Sequence, residues 1–208
     1  MTRPGTLVFV AGTGTDVGKT WWAAAVARQL RDAGVTVAAR KPVQSGQPGE
    51  VRDADVLAAA TGEDPTTVCP EHRTFDLPWA PPMAAHELGK PAFTVRELAE
   101  GLEWPKATAV GLIEGVGGPR SPVADDGDNV DLARELQPHL VVLVGDAGLG
   151  TINAVLLSVG AFDDIPVIVA LNRFGDDPLH ERNREYLVER ADLDVVTGVA
   201  ELARRLLL

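Results

Sequence analysis

The chain has 208 residues, 45% of them hydrophobic, and a formal net charge of −11. That length suffices for one domain with a full sheet between two helical layers, and the acidic balance argues against nucleic acid or an anionic membrane surface as the main partner. The single cysteine, Cys69, excludes an intramolecular disulfide and a cysteine-rich metal site; with no signal-peptide pattern at the N-terminus and no membrane-length apolar run, the expectation is a cytoplasmic protein of one domain, residues 1–208.

The first element is an apolar strand near residues 7–11, and it runs into Gly12-Thr13-Gly14-Thr15-Asp16-Val17-Gly18-Lys19-Thr20. A helical pattern follows near 19–33. Strand, glycine loop and helix together make a nest of backbone N–H groups at the positive end of a helix, which binds phosphate. Lys19 supplies the mobile cation for the β- and γ-phosphates, and the Thr20 hydroxyl is placed for Mg²⁺. The usual G-x-x-x-x-G-K-[ST] spacing would need glycine at position 13; here Thr13 stands between Gly12 and Gly14, so the loop counted from Gly12 is one residue longer.

A second strand near 35–40 leads into Arg40-Lys41-Pro42-Val43-Gln44-Ser45-Gly46. Pro42 fixes the chain direction just after Lys41, which can hold a second ammonium at the sheet's ligand edge and stabilise charge during phosphoryl transfer. Only four lysines occur against fifteen arginines, and two of the four lie in these motifs. Asp53 and Asp55 open a helical pattern near 52–61. Acidic residues there commonly cap the helix, but one of the pair can complete a Mg²⁺ shell. Residues 62–93 carry six prolines and read as an ordered excursion with a short helix over 83–88, either a long connection or a wall of the substrate pocket. Cys69, followed by Pro70 in a polar stretch, is a poor candidate nucleophile.

A helical pattern near 94–103 precedes a third strand near 109–114, which ends in Glu114-Gly115-Val116-Gly117-Gly118. A carboxylate at a buried strand end followed by glycines points to a site that a phosphate or substrate approaches closely. Helical patterns near 129–137, 151–162, 179–191 and 199–207 alternate with strands near 140–145, 166–171 and 193–196. Continuous apolar strands covered on both faces define a doubly wound, mainly parallel α/β sheet of the P-loop NTPase type, with ligands beyond the strands' carboxyl ends. The N-terminus of the helix at Gly150-Thr151-Ile152-Asn153 is a second candidate anion site. Asn172, after the fifth strand, is a candidate reader of the nucleotide base or a turn residue.

These motifs in this order, G-T-x-T-D-V-G-K-T, K-P-V-x-S-G, E-G-x-G-G, L-G-x-I-N and a late Asn, resemble the dethiobiotin synthetases over nearly the whole chain. The resemblance implies an ATP-dependent cyclo-ligase that closes a ureido ring on 7,8-diaminononanoate with CO₂, through a carbamate and a carbamic-phosphoric anhydride, in biotin synthesis. It implies catalytic roles for Lys19 and Lys41, and a Mg²⁺ site at Thr20, Asp55 and Glu114. It places ATP on Asp16, Val17, Gly18, Lys19, Thr20 and Trp21, together with Asp55, Glu114, Gly117 and Asn172. It places the diamine and its carbamate on Thr15, Ser45 and Gly117, with Gly150 and Asn153 reaching the partner's site in a homodimer. The alternative is a P-loop ATPase switch of the partitioning or cell-division type. Such proteins typically carry a further lysine near the loop start, where this chain has Thr13.

Overall fold

The computed structural model describes residues 3–162 and 165–207. Its centre is a six-stranded parallel sheet formed by β1 (Thr6–Gly12), β2 (Val37–Arg40), β3 (Val110–Glu114), β4 (Leu140–Asp146), β5 (Val167–Asn172) and β6 (Asp194–Val196). The spatial order is β6-β5-β4-β1-β3-β2. Side chains alternate across each strand, so Leu7, Phe9 and Ala11 enter one core while Val8 and Val10 enter the other.

The second core is covered by α1 (Lys19–Asp32), α2 (Asp53–Thr61), α3 (Pro65–Val68) and α9 (Val199–Arg205). The first is covered by α4 (Pro81–Glu87), α5 (Val95–Glu100), α6 (Asn129–Leu136), α7 (Thr151–Val159) and α8 (Pro178–Glu189). After β1 the chain crosses one face toward β2, and after β3 it crosses the other face toward β4. The strand order therefore reverses between β1 and β3, and the crevice there is where such sheets bind ligands. The glycine loop leaves β1 and the Glu114 segment leaves β3 at that crevice.

The proline-rich excursion is more regular than its composition suggests. Pro65 begins α3, and Pro81 begins α4, because the first helical turn has no use for the missing N–H and the fixed φ suits a helix start. Gln44–Ser45 pairs in parallel with Thr74–Phe75, tying the segment after β2 to the excursion. Phe75 stacks on Phe93 with centroids 5.9 Å apart, which anchors the excursion in the first core.

Arg40 ends β2 with its side chain buried and paired to Glu63, Nη1 to Oε1 at 2.7 Å. The Arg40 Nε donates to the Glu103 carbonyl at 2.6 Å, the guanidinium lies 4.9 Å from the Trp104 ring centroid, and Glu63 Oε2 accepts the Ala39 N–H at 2.8 Å. Removing one member of such a pair strands the other charge without water. Glu63→Ala is expected to lower unfolding free energy by about 3 kcal/mol or more, read as a lower urea midpoint at unchanged slope.

Candidate active site

Gly18 has φ 102° at the N-cap of α1, a left-handed conformation suited to glycine. A Cβ there would also lie 2.1 Å from Asn172 Nδ2. That amide donates to the Val17 carbonyl at 2.9 Å, so Asn172 buttresses the phosphate loop from the end of β5. Arg173, which the sequence reading passed over, adds a second brace: its guanidinium donates to the Asp16 carbonyl at 2.7 Å and pairs with Asp146. The Lys19 ammonium folds back onto the Gly14 carbonyl at 2.8 Å, inside the curl of the loop. Burial foremost, and the neighbouring Lys41 next, lower its pKa to about 8.

Lys41 and Glu114 are the most completely buried charged groups of the cleft, each at 1% exposure. Lys41 Nζ meets Asp53 Oδ2 at 2.7 Å and donates to Glu114 Oε1 at 2.7 Å and to the Gly115 carbonyl at 2.9 Å. Burial alone would lower its pKa, but Glu114 and Asp53 outweigh burial and hold it above the ordinary lysine value. Burial pushes Asp53 up, but the Lys41 charge, the hydrogen bonds from Lys41 and Thr20 and the Lys19 charge together outweigh it, and the result is about 2. Glu114 stands above the usual carboxylate range because its burial is offset only in part by Lys41.

The Thr20 hydroxyl lies 2.8 Å from both Asp53 Oδ1 and Glu114 Oε1. One hydroxyl proton serves one of these acceptors at a time. Glu114 Oε2 is buried with no hydrogen-bond partner. Two carboxylates and a hydroxyl oxygen converging beside an orphaned carboxylate oxygen form a donor set that suits a small hard cation such as Mg²⁺, which takes few protein oxygens and fills its shell with phosphate and water.

Asp55, expected in this cluster, stands elsewhere. It is exposed, and its Oδ2 accepts the Arg52 N–H at 3.2 Å as the third residue of α2 reaching back to the N-cap. Residues two apart on a helix are rotated by about 200°, so one of the pair faces Lys41 and the other cannot. It is Asp53, and not Asp55, that meets Lys41 and Thr20. The third-residue position of Asp55 in α2, from which a carboxylate can reach back to the N-cap N–H, was the signal that could have separated them.

The cleft encloses about 760 Å³ and its lining includes Thr15, Asp16, Gly18, Ser45 and Gly117 as well as the charged cluster. The excursion forms its far wall through Phe75, Pro78, Trp79 and Pro81, so the wall is the alternative that holds for part of residues 62–93. The Ser45 hydroxyl donates to the Trp79 carbonyl at 2.6 Å and fastens that wall to the segment after β2. Arg52 and Asp76 pair at 2.8 Å on the same lining. Gly117 has φ +55°, and a Cβ on it would fall 2.3 Å from Ser121 Oγ.

Other expected residues lie off the cleft within the single chain. The Trp21 ring is 57% exposed and meets Trp22 edge-on at 5.7 Å between centroids. Gly150, with φ 91°, and Asn153 are exposed at the start of α7, outside the cleft lining. No helix among the described residues is long and apolar enough to cross a membrane.

A glycine-lysine-threonine loop between β1 and α1, at the switch point of a parallel sheet and facing a second lysine held by two carboxylates, defines an α/β nucleotide-binding protein of the P-loop class. The AAA domain family model matches residues 6–204. The chain is 36% identical to the ATP-dependent dethiobiotin synthetase BioD of Anaeromyxobacter dehalogenans (strain 2CP-C), covering 95% of this chain and 92% of that protein. It is 37% identical to the protein of the same name from Rhodococcus jostii (strain RHA1), over 93% and 83% of the two chains, and 33% identical to that of Aquifex aeolicus (strain VF5), over 88% and 83%. The chain belongs to the ATP-dependent dethiobiotin synthetase family. Among solved structures, the signal recognition particle receptor FtsY from Elizabethkingia anophelis superposes with a TM-score of 0.56 at 15% identity, covering 100% of this chain and 67% of that one; this likeness concerns the fold alone.

Proposed function

We propose that this chain, acting as one synthetase domain over residues 1–208, closes the ureido ring of dethiobiotin from 7,8-diaminononanoate, CO₂ and ATP with Mg²⁺, releasing ADP and phosphate. The observation that carries the reading is the buried Lys41 ammonium, held by Asp53 and Glu114 within the same cleft as Lys19. A switch of the partitioning type carries its further lysine near the loop start, where this chain has Thr13. A second, desolvated ammonium just after β2 instead suits a reaction that builds negative charge on a carbamate and a transferring phosphoryl group together.

In this reading one substrate amine adds to CO₂ and loses a proton to give a carbamate. A carbamate oxygen attacks the γ-phosphorus and ADP leaves. The second amine attacks the carbamoyl carbon, the ring closes and phosphate departs with the anhydride oxygen. Lys19 and the N–H groups of residues 16–20 hold the nucleotide phosphates. Lys41 stabilises the carbamate and the phosphoryl oxygens in flight. Thr20, Asp53 and Glu114 would hold Mg²⁺, which supplies charge neutralisation to the β- and γ-phosphates when bound. Thr15, Ser45 and Gly117 line the site of the diamine and its carbamate, with Gly117 also beside the nucleotide. Asn172 meets the base edge while its amide braces the loop.

The same reading makes the protein a cytoplasmic homodimer, with Gly150 and Asn153 receiving the carboxylate of the partner's substrate. Large apolar side chains beside that helix start favour a covered face: Leu149 is 93% exposed and Leu157 70%. The test is direct. Purified protein with the diamine, bicarbonate and Mg·ATP should yield dethiobiotin and ADP; ATP hydrolysis indifferent to the diamine would overturn the reading.

ATP affinity should depend on pH through Lys19. Phosphate favours the ammonium form, so binding raises a pKa that stands at about 8 in the free protein. Below that value Lys19 is already charged. Above it, binding must take up a proton, and Kd should weaken by up to about tenfold per pH unit until the pKa of the complex is passed. Calorimetry in two buffers of different ionisation enthalpy should show proton uptake on the alkaline side, and a Kd level from about pH 7 to 9.5 would contradict it.

A further inference from the structure

We propose that Asn129 is a positioning residue that fixes the glycine segment after β3 as a wall of the cleft. Asn129 opens α6 and is 2% exposed. Its Nδ2 donates to the Val116 carbonyl at 2.6 Å and the Gly118 carbonyl at 2.7 Å, with the Ser121 carbonyl at 3.3 Å, while its Oδ1 accepts the Val116 N–H at 3.0 Å. A Cβ on Gly115 would lie 2.4 Å from that oxygen, so chain and amide are in direct contact.

Val116, Gly117 and Ser121 line the cleft and Asn129 does not. Carbonyls aimed at the Asn129 amide are therefore aimed away from the ligands. This matters because the proposed ligands on that side include anions, the carbamate and the nucleotide phosphates, which carbonyl dipoles would repel. The same segment touches both other parts of the site: the Gly115 carbonyl accepts from Lys41, and a Cβ on Gly118 would sit 3.4 Å from the Thr13 carbonyl of the phosphate loop. Asn129 is itself anchored, since Asp128 caps α6 by accepting the Val130 N–H at 2.8 Å and the Asp131 N–H at 3.1 Å. Freed from the amide, the peptide planes of residues 116–118 can turn their oxygens into the anion site.

The inference rests on the synthetase reading for its substrates, but a nucleotide-binding readout stands apart from that reading. Asn129→Ala should lower turnover about 10-fold or more and weaken Mg·ATP binding, measured calorimetrically. Asn129→Asp supplies the readout that mere structural support would not move. Its ionised form faces three carbonyls and donates to none, whereas its protonated form restores one donor, and burial among carbonyls favours protonation. Turnover and ATP affinity of Asn129→Asp, each relative to the unaltered protein, should therefore recover several-fold as pH falls from about 8.5 to about 6.5, while the Asn129→Ala ratios stay flat. Asn129→Ala with unaltered kcat, KM and ATP affinity overturns the inference, and so do Asn129→Asp ratios that are flat in pH; the second criterion decides where the alanine variant fails to fold. Should the unaltered protein make no dethiobiotin, the proposed function fails, and the ATP-binding ratios still decide the role of Asn129.

Discussion

Lys41→Ala should lower dethiobiotin turnover on the order of 10²-fold or more while leaving the KM for ATP within a few-fold of its original value. The reason is where each lysine's charge is used. Lys19 and the loop amides grip the nucleotide in the ground state, so they set its affinity. Lys41 faces two carboxylates and sits at 1% exposure, so its field is little screened by water and acts on charge that appears as the phosphoryl group moves. Lys41→Arg should not rescue, because a guanidinium fork does not fit where a compact ammonium contacts Asp53, Glu114 and the Gly115 carbonyl at once. The alanine variant also leaves two carboxylates beside Thr20 without their counter-charge, so it should unfold at a lower temperature than the unaltered protein when Mg²⁺ is absent. Steady-state kinetics with diamine saturating, together with thermal scans, check both statements. A rate near that of the unaltered protein would leave Lys41 as a counter-charge for the carboxylates only.

The second large effect separates two aspartates. Asp53→Asn should raise the Mg²⁺ concentration needed for half-maximal rate by at least the roughly 10-fold that loss of even an outer-shell partner costs. Asp55→Asn should leave the metal requirement unchanged and cost only a helix cap, about 1 kcal/mol of stability or less. Titrating activity with Mg²⁺ for the two variants side by side reads the difference, and the opposite pattern would return the metal position to Asp55. The prediction stands on the two carboxylates' observed partners: Asp53 meets Lys41 and Thr20, whereas Asp55 accepts the Arg52 N–H.

Much of this protein is local in origin and therefore legible without coordinates. Runs such as Leu140 to Val144 and Val167 to Leu171, apolar at every position, require a strand covered on both sides, and the structure places alternate residues of each in the two cores. The phosphate loop is legible because its function needs glycine conformations and a lysine at fixed spacing along one stretch of chain; the positive φ of Gly18 occurs where the motif requires it. Lys41 and Glu114 are legible as strand-end residues, since in a doubly wound sheet every such end faces the ligand side.

What the sequence did not contain is how separate stretches meet. Whether Asp53 or Asp55 faces Lys41 depends on the rotation of α2 about its axis, which its packing on the second core fixes and which no spacing within residues 52–55 reveals unless Asp55 is recognised as the third helical residue that reaches back to the N-cap N–H. Pro65 and Pro81 read as interruptions and proved to be helix starts, because a proline's effect depends on whether its missing N–H had a partner to lose. The roles of Asn129 and Arg173 lie in contacts with carbonyls 8 to 157 positions away along the chain, a distance that only the fold closes. The sequence by itself determined the chemistry available, a phosphate nest, two lysines and a buried carboxylate, since these follow from residue types at short range. The tertiary structure alone decided which of those groups share a desolvated point, because that depends on strand order and helix rotation, and it is this sharing that distinguishes a synthetase site from a phosphate-binding loop.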